Sequence, residues 1–425
     1  MAPLGFVTEV LIMKNPYTLR DYAHFGSMAW RGRRRNQRWG KEFEACVRRG
    51  NFQLPSAAVV QFIPTEGCNL RCPFCNQWGE NGYFLAGARE VATMDESGMA
   101  KLVEQLSPRD SLINIHGGEP FAYKHIDTLL RVVAERQFDV LITTNGTLLS
   151  NHLEELARLK NLAFILSIDG DEETHDRIRG KGTFQKIKRG ITDLFELRRS
   201  RGVPPPLVVM SAVVSEWTTD VVERAYDVAR ELGVFMLNYN FRYFMPEAAG
   251  LAYEKHLQDE FGLKSSGAWR GWVVPDYEKN DFGEVADKVR RLLQAKRFKL
   301  RPPYTVTGPS QLRGKDYENW FTDYLNTFGN ESCFMPFYWA RIHANGDLIF
   351  CPGHPDIIAG NVFRDGFMQS FNSEMAVKFR KHILQNRFPI CNRCCGLYMT
   401  NPARPFEQKA RRNLGLPKEV AVHYH

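Results

Sequence analysis

Between residues 57 and 241, short apolar runs alternate with longer amphipathic ones. The short runs read AAVVQFIPT, SLINIHG, FDVLITTNG, LAFILSIDG, PLVVMSAVV and GVFMLNYNF, and several close on Gly turns. They are rich in β-branched residues, the composition of strands. The segments between them include DESGMAKLVEQL, IDTLLRVVAER, LEELARLK, TFQKIKRGITDLFELRR and DVVERAYDVAREL, which repeat apolar positions at helical spacing. Strand, helix, strand at this rhythm predicts an α/β protein with a parallel sheet of six strands. The runs are apolar nearly throughout, so they are expected to be buried on both faces.

Beyond residue 245 the pattern changes. Residues 246–330 read as an irregular bridge that contains a last barrel helix, FGEVADKVRRLLQAKRF, and the aromatics Trp269, Trp272, Tyr277, Tyr304 and Trp320. Further on, FYWARIHA and DLIFC flank Asn345-Gly346, a hairpin signal because both residues tolerate positive φ. A helical stretch, SEMAVKFRKHILQ, follows.

Composition bounds the class. The chain has 425 residues, 44% hydrophobic and 24% charged, which excludes a disordered chain and fits two or three domains. A net charge of +8 favours acidic partners without naming one. The opening MAPLGFVTEVLIM lacks the cationic lead of a signal peptide, and Met13 reads as an alternative start. No apolar stretch approaches the ~18 residues of a membrane span. A cytoplasmic location is expected, where cysteines are ligands or catalysts before they are disulfides.

Three of the nine cysteines, Cys68, Cys72 and Cys75, lie in PTEGCNLRCPFCNQWGENGYF, in the loop after the first predicted strand. The C-terminal end of a parallel strand is where ligands sit. A cubane iron–sulfur cluster usually takes four thiolates, so three leave one iron open to an external chelate. The alternative is zinc completed by a distant residue. A second set follows the hairpin logic. Cys333 and Cys351 bracket the hairpin, and Cys391 and Cys394 add a C-x2-C pair. Four thiolates close a site, for a cluster or for zinc.

The C-x3-C-x2-C loop, with Phe74 before its last cysteine, resembles the signature of the radical SAM family. HGGEP at 116–120 resembles the family's GGE motif, with Gly117, Gly118 and Glu119 near the methionyl amine. Asn145 in TTNG, and Ser167 and Asp169 in SIDG, fall at the next strand ends, where the resemblance places cofactor contacts. The resemblance implies a partial (β/α)6 barrel and a [4Fe–4S] cluster that binds S-adenosylmethionine. It also implies reductive cleavage to a 5′-deoxyadenosyl radical, which takes hydrogen from a substrate. The C-terminal spacing resembles the SPASM and twitch extensions of this family. The shorter twitch version, with one auxiliary [4Fe–4S] cluster on Cys333, Cys351, Cys391 and Cys394, fits best because no cysteine follows Cys395.

This gives a basic segment over 1–56, the barrel over 57–300, a bridge over 301–330, the auxiliary-cluster domain over 331–400 and a tail over 401–425. A reducing protein such as a flavodoxin or ferredoxin is the expected electron donor. The substrate is expected to be a small molecule that is oxidised or epimerised, because the segment before the barrel is short for a leader-peptide-binding domain. Peptide modification is the alternative. An iron–sulfur RNA-binding protein is the non-enzymatic rival, but a binding module has no need of the GGEP and SIDG positions. Arg31, Arg33, Arg34, Arg35 and Arg38 between Trp30 and Trp39 are read as a solvated face packed on the barrel, so nucleic acid is not expected. Cys46 is read as a small buried hydrophobe and Cys395 as a spare thiol. Tyr239, Asn240, Arg242, Tyr243 and His116 are candidates for substrate contact or packing at the mouth. Catalytic residues are not assigned.

Overall fold

The structure is a computed structural model. It describes residues 16–215, 218, 222–274, 287–288, 291, 304–307, 316–330, 333–353, 355–398, 404–415 and 421–422. All six expected strands form: β1 (Val59–Phe62), β2 (Leu112–Ile115), β3 (Val140–Thr144), β4 (Leu162–Ser167), β5 (Leu207–Val214) and β6 (Met236–Phe241). They pair in parallel and in sequence order. The sheet then runs on at both edges. β7 (Tyr304–Thr307) adds in parallel to β6, and β8 (Trp339–Ile342) adds in parallel to β1. β9 (Asp347–Ile349) and β10 (Gly360–Asn361) continue antiparallel from β8, so one ten-stranded sheet carries both cysteine regions.

The hairpin differs in detail from its prediction. Four residues, His343 to Gly346, lie between β8 and β9, and because the His343 N–H donates to the Asp347 carbonyl the turn itself is the three residues Ala344 to Gly346. Gly346 alone adopts positive φ, at 88°. This is the three-residue turn with Gly in the left-handed position.

The strands are not buried alike on both faces. In β3, β4 and β6 buried residues alternate with half-buried ones. Val140, Ile142, Phe164, Leu166, Leu237, Tyr239 and Phe241 form the buried set, at 1% exposure or less. The register places Gln61 beside Asn114 on one side and Arg341 on the other. It also aligns Ser167, Ser211 and Asn238. One face is therefore the core beneath the helices, and the other is a polar lumen. Tyr239 belongs to the core, which removes it from the substrate candidates. Asn240 is on the lumen face, and the Tyr243 ring packs on Trp272 at 5.5 Å.

The helices expected after the strands form as α2 (Glu96–Glu104), α3 (Ile126–Glu135), α4 (Leu153–Arg158), α6 (Thr183–Ser200) and α7 (Val222–Glu231). α5 (Glu172–Arg179) was not anticipated, nor was α8 (Glu247–Phe261) in the stretch read as irregular. Gly250 is obligatory in α8, because a Cβ there would meet the Trp269 ring at 1.9 Å. Trp269 and Trp320 are core residues at 1% exposure. Tyr277, most of the helix expected over 282–298, and the Cys395 side chain lie outside the described residues.

The basic segment is a 31-residue helix, α1 (Leu19–Arg49), with a Thr18–Asp21 capping box. Its apolar face lies on the C-terminal half: the Trp39 indole N–H donates to the Phe337 carbonyl at 2.9 Å, and Phe43 packs edge-on to Phe337. Cys46 is fully buried. Arg31 and Arg35 both reach Asp139, at 2.9 and 3.4 Å. No helix among the described residues is long and apolar enough to cross a membrane.

Asp139 and Arg35 are both buried, so removing the carboxylate strands a cation. Asp139→Ala is expected to destabilise the fold by about 3 kcal/mol, read as a lower denaturant midpoint. A loss below ~1 kcal/mol would show that α1 is held by its apolar face alone.

Candidate active site

Two loops meet at the C-terminal ends of β1 and β2. Gly118 N–H donates to the Thr65 carbonyl at 3.1 Å, and Glu119 N–H to the Gly67 carbonyl at 2.9 Å. Gly117 sits at φ 151°. A Cβ on Gly117 would lie 2.4 Å from the Thr65 oxygen, and one on Gly118 would lie 2.2 Å from the Gly67 oxygen. Only glycines permit this approach. It fixes the start of the cysteine loop against the GGE segment.

Cys72 is buried, and Cys68 and Cys75 are half-buried. Backbone N–H groups of Leu70 and Trp78 donate to the sulfurs of Cys68 and Cys75 at 3.5 and 3.4 Å. The Arg179 guanidinium reaches the Cys72 sulfur at 3.8 Å. Trp78, Tyr83, Phe84 and Ala268 form a separate apolar cluster against Cys68 and Cys75. Burial raises the Cys68 thiol to about 11 and raises Cys72 as well, although Arg179 opposes the second shift. These thiols therefore need cationic metal to ionise. Three sulfurs with N–H donors, inside an apolar shell, fit an iron–sulfur cluster, whose potential depends on such donors and on burial. Among the described residues no three His, Cys, Asp or Glu side chains converge on a single-ion site. A cubane does not require that convergence, since each thiolate holds a different iron.

Glu119 is buried and fully engaged. It accepts from Thr144 Oγ1 at 2.7 Å, Asn145 N–H at 2.8 Å and Phe121 N–H at 3.1 Å. Burial nevertheless raises its pKa to about 7. The Asn145 side-chain amide donates to Asn69 at 2.9 Å, which joins the third strand end to the cysteine loop. Ser167 lies half-buried on the lumen face. Asp169 is buried among protein partners. Its two oxygens accept from Arg179 at 2.6 Å and Val213 N–H at 2.9 Å. The same Arg179 stands 5.5 Å over the Phe74 ring. Asp169 thus holds Arg179 against the cysteine loop. Arg179 was missed in the sequence, where α5 itself was not anticipated.

Two further residues were also missed. Glu66 accepts from or pairs with His343 at 2.6 Å, which ties the cysteine loop to the hairpin. Burial opposes ionisation of Glu66, yet His343 and Arg89 hold its carboxyl below the usual range. Arg341, on β8, faces the lumen next to Gln61 and has Tyr83, Cys351 and Cys394 as electrostatic neighbours. His116 accepts from Gly117 N–H at 2.7 Å through Nδ1, which leaves its proton on Nε2. Burial and Arg341 lower its pKa to about 3, so it stays neutral.

The second cysteine set also comes together. Cys351 donates to Cys394, which raises the first thiol and lowers the second. The sulfurs of Cys333 and Cys394 lie 3.7 and 3.8 Å from the point a Cβ on Gly396 would occupy. Burial beside Cys394 and Cys333 raises Cys391 well above the usual thiol range. This donor set too fits a cluster.

A parallel barrel with a thiol triad at its mouth and a thiol quartet on its edge defines an iron–sulfur protein. Comparison with known families agrees: residues 62–229 match the radical SAM superfamily, and residues 333–395 match the SPASM iron–sulfur cluster-binding domain. The chain belongs to the radical SAM superfamily and carries a SPASM domain. It is 31% identical to an Fe-coproporphyrin III synthase of Methanosarcina barkeri, over 33% of this chain and 34% of that protein. It is 22% identical to the subtilosin biosynthesis protein AlbA of Bacillus subtilis, over 82% of this chain and 69% of that protein. The chain spans about a third to a half of the first curated relatives it matches. Its fold resembles Streptococcus suis SuiB bound to the precursor peptide SuiA, with 16% identity, a TM-score of 0.56, and coverage of 83% of this chain and 73% of that one.

Glu119 gives a pH signature. Its folded pKa lies near 7 and its ordinary value is 4.5, so the folded state holds the extra proton between them. Stability of the cluster-free protein should fall as pH rises from about 4.5 through 7. Glu119→Gln should flatten that interval in a series of denaturant melts. An unchanged slope would show that Glu119 ionises normally.

Proposed function

We propose that the protein is a radical SAM maturase that modifies a peptide. The observation that carries this reading is the extent of similarity. The 31% match to a porphyrin-type synthase covers a third of the chain, whereas the match to AlbA takes in most of it. The likeness to SuiB in complex with a precursor peptide also extends over 83% of the chain. The preference for a small molecule rested on the shortness of the segment before the barrel. The described residues of that segment form one helix, α1, whose Trp39 is bonded to Phe337 just before β8.

Cys68, Cys72 and Cys75 would hold the [4Fe–4S] cluster, and Gly117, Gly118, Glu119, Asn145 and Ser167 would border S-adenosylmethionine. When bound, this pair supplies a 5′-deoxyadenosyl radical that takes hydrogen from the substrate. Asp169, through Arg179, positions the cysteine loop. Phe74 backs the loop beneath Arg179. Cys333, Cys351, Cys391 and Cys394 would hold one closed auxiliary cluster, suited to accepting an electron from a substrate radical. A flavodoxin or ferredoxin would supply the initiating electron. The substrate would lie in the polar lumen between the two sites, where Arg341 presents a cation and His116 an N–H donor.

Three outcomes test this. The reconstituted protein should contain about eight irons and eight sulfides per chain, four for each cubane. Twelve of each would require a second auxiliary cluster. With a reductant and S-adenosylmethionine, a peptide encoded beside the gene should change mass by hydrogen loss or a new crosslink. No change across all neighbouring peptides, with turnover of a small metabolite, would overturn the maturase reading. Arg341→Ala should retain S-adenosylmethionine cleavage and lower product formation by roughly tenfold or more. Equal losses in both would place Arg341 in cofactor binding.

A further inference from the structure

On the side of the sheet where β2 and β3 begin, α1 and two loops enclose a groove of about 550 Å³. Six arginines line it, Arg31, Arg34, Arg35, Arg38, Arg109 and Arg136, against one carboxylate, Glu135. Three of them meet two carboxylates: Arg31 and Arg35 share Asp139, and Arg38 pairs with Asp110. Arg34, Arg109 and Arg136 have no carboxylate partner among the described residues. Trp30 is 57% exposed beside them, with the Arg34 guanidinium 4.7 Å over its ring. Gln137, which also lines the groove, is at φ 59° as the left-handed residue that ends α3. An exposed tryptophan and arginines without carboxylate partners are concentrated in one concavity. None of them serves the mouth of the barrel, which lies at the opposite ends of the strands.

We infer that this groove docks a carboxylate-rich segment of the peptide substrate. The inference rests on the maturase reading and adds the chemistry of its recognition. Carboxylates are the anions these arginines already bind, at Asp139 and Asp110. A guanidinium fork matches a carboxylate in two-point geometry. The groove is also a local, half-open concavity and not a long stripe. Nucleic acid needs an extended basic track along its backbone, whereas a few acidic side chains fill a pocket. The reach is sufficient. Strands of four to six residues rise ~13–20 Å, and ten extended residues span ~33 Å. A peptide held here by its acidic segment can therefore pass around the barrel to the mouth. Such tethering raises the effective concentration of the segment to be modified without any contact at the active site.

Fluorescence anisotropy on the full chain tests this, with a labelled (Glu-Gly)5 probe at low ionic strength and its (Gln-Gly)5 counterpart. The Glu probe should bind, weaken steeply with added salt, and exceed the Gln probe by roughly tenfold or more. Arg34→Glu combined with Arg109→Glu should weaken it by a similar factor. Both side chains are exposed and have no ion pair among the described residues, so the melting temperature and S-adenosylmethionine cleavage should stay unchanged. Equal binding of the two probes, or binding indifferent to the double reversal, would overturn the inference. So would a decameric RNA that displaces the Glu probe and is itself lost in the double variant. Each of these failures leaves peptide modification to be judged by its own mass-spectrometric assay.

Discussion

The mouth of the barrel depends on a contact made by backbone alone. Gly117 and Gly118 press against the carbonyls of Thr65 and Gly67, at a distance that no side chain would permit. From that contact the rest of the site is built outward. Glu119 is set in place by its N–H bond to Gly67, and its carboxylate then gathers Thr144 and Asn145. Asn145 returns to Asn69, between the first two cysteines of the triad. Arg179, held by Asp169, closes the loop from the fourth strand end. Three strand ends thus converge on one cysteine loop, and the loop's shape is over-determined before any metal arrives.

A second constraint couples the two cysteine sets. β8 pairs with β1 through four residues, so the hairpin that leads to Cys351 is part of the same sheet as the strand that leads to Cys68. The buried Glu66–His343 pair fastens the two at their ends. The lumen between them is lined by polar side chains on a rigid frame. A substrate radical formed there would face the auxiliary site across fixed distances, which is what an electron relay needs. Sites on strands hold such geometry better than sites on loops.

Much of this was legible in the sequence, and the exceptions have physical reasons. Strands β1 to β6 were visible because β-branched runs dominate them. Their two faces were not separated, because Gln61 and Asn114 each stand singly in an otherwise apolar run. In LNYNF the alternation is present, and it marks Asn238 and Asn240 as lumen residues and Tyr239 as core. β7 escaped notice because Tyr304–Thr307 is short and follows two prolines. The packing of α1 was hidden by its arginines, several of which fold back onto acids more than seventy residues away. The cysteines were legible through spacing alone. The roles of Asp169 and Glu66 were not, since their partners are fixed by tertiary packing and lie ten and 277 residues away.

The central claim is that the triad leaves one iron open for S-adenosylmethionine while the quartet is closed. Electron paramagnetic resonance of the reduced protein, with and without S-adenosylmethionine, addresses it most directly when Cys68, Cys72 and Cys75 are replaced together by Ala. In the wild type, S-adenosylmethionine should alter one of two cluster signals. In the triple variant that signal should vanish, the other should persist unaltered by S-adenosylmethionine, and no 5′-deoxyadenosine should form. A remaining signal that still responds to S-adenosylmethionine, or continued formation of 5′-deoxyadenosine, would contradict the account.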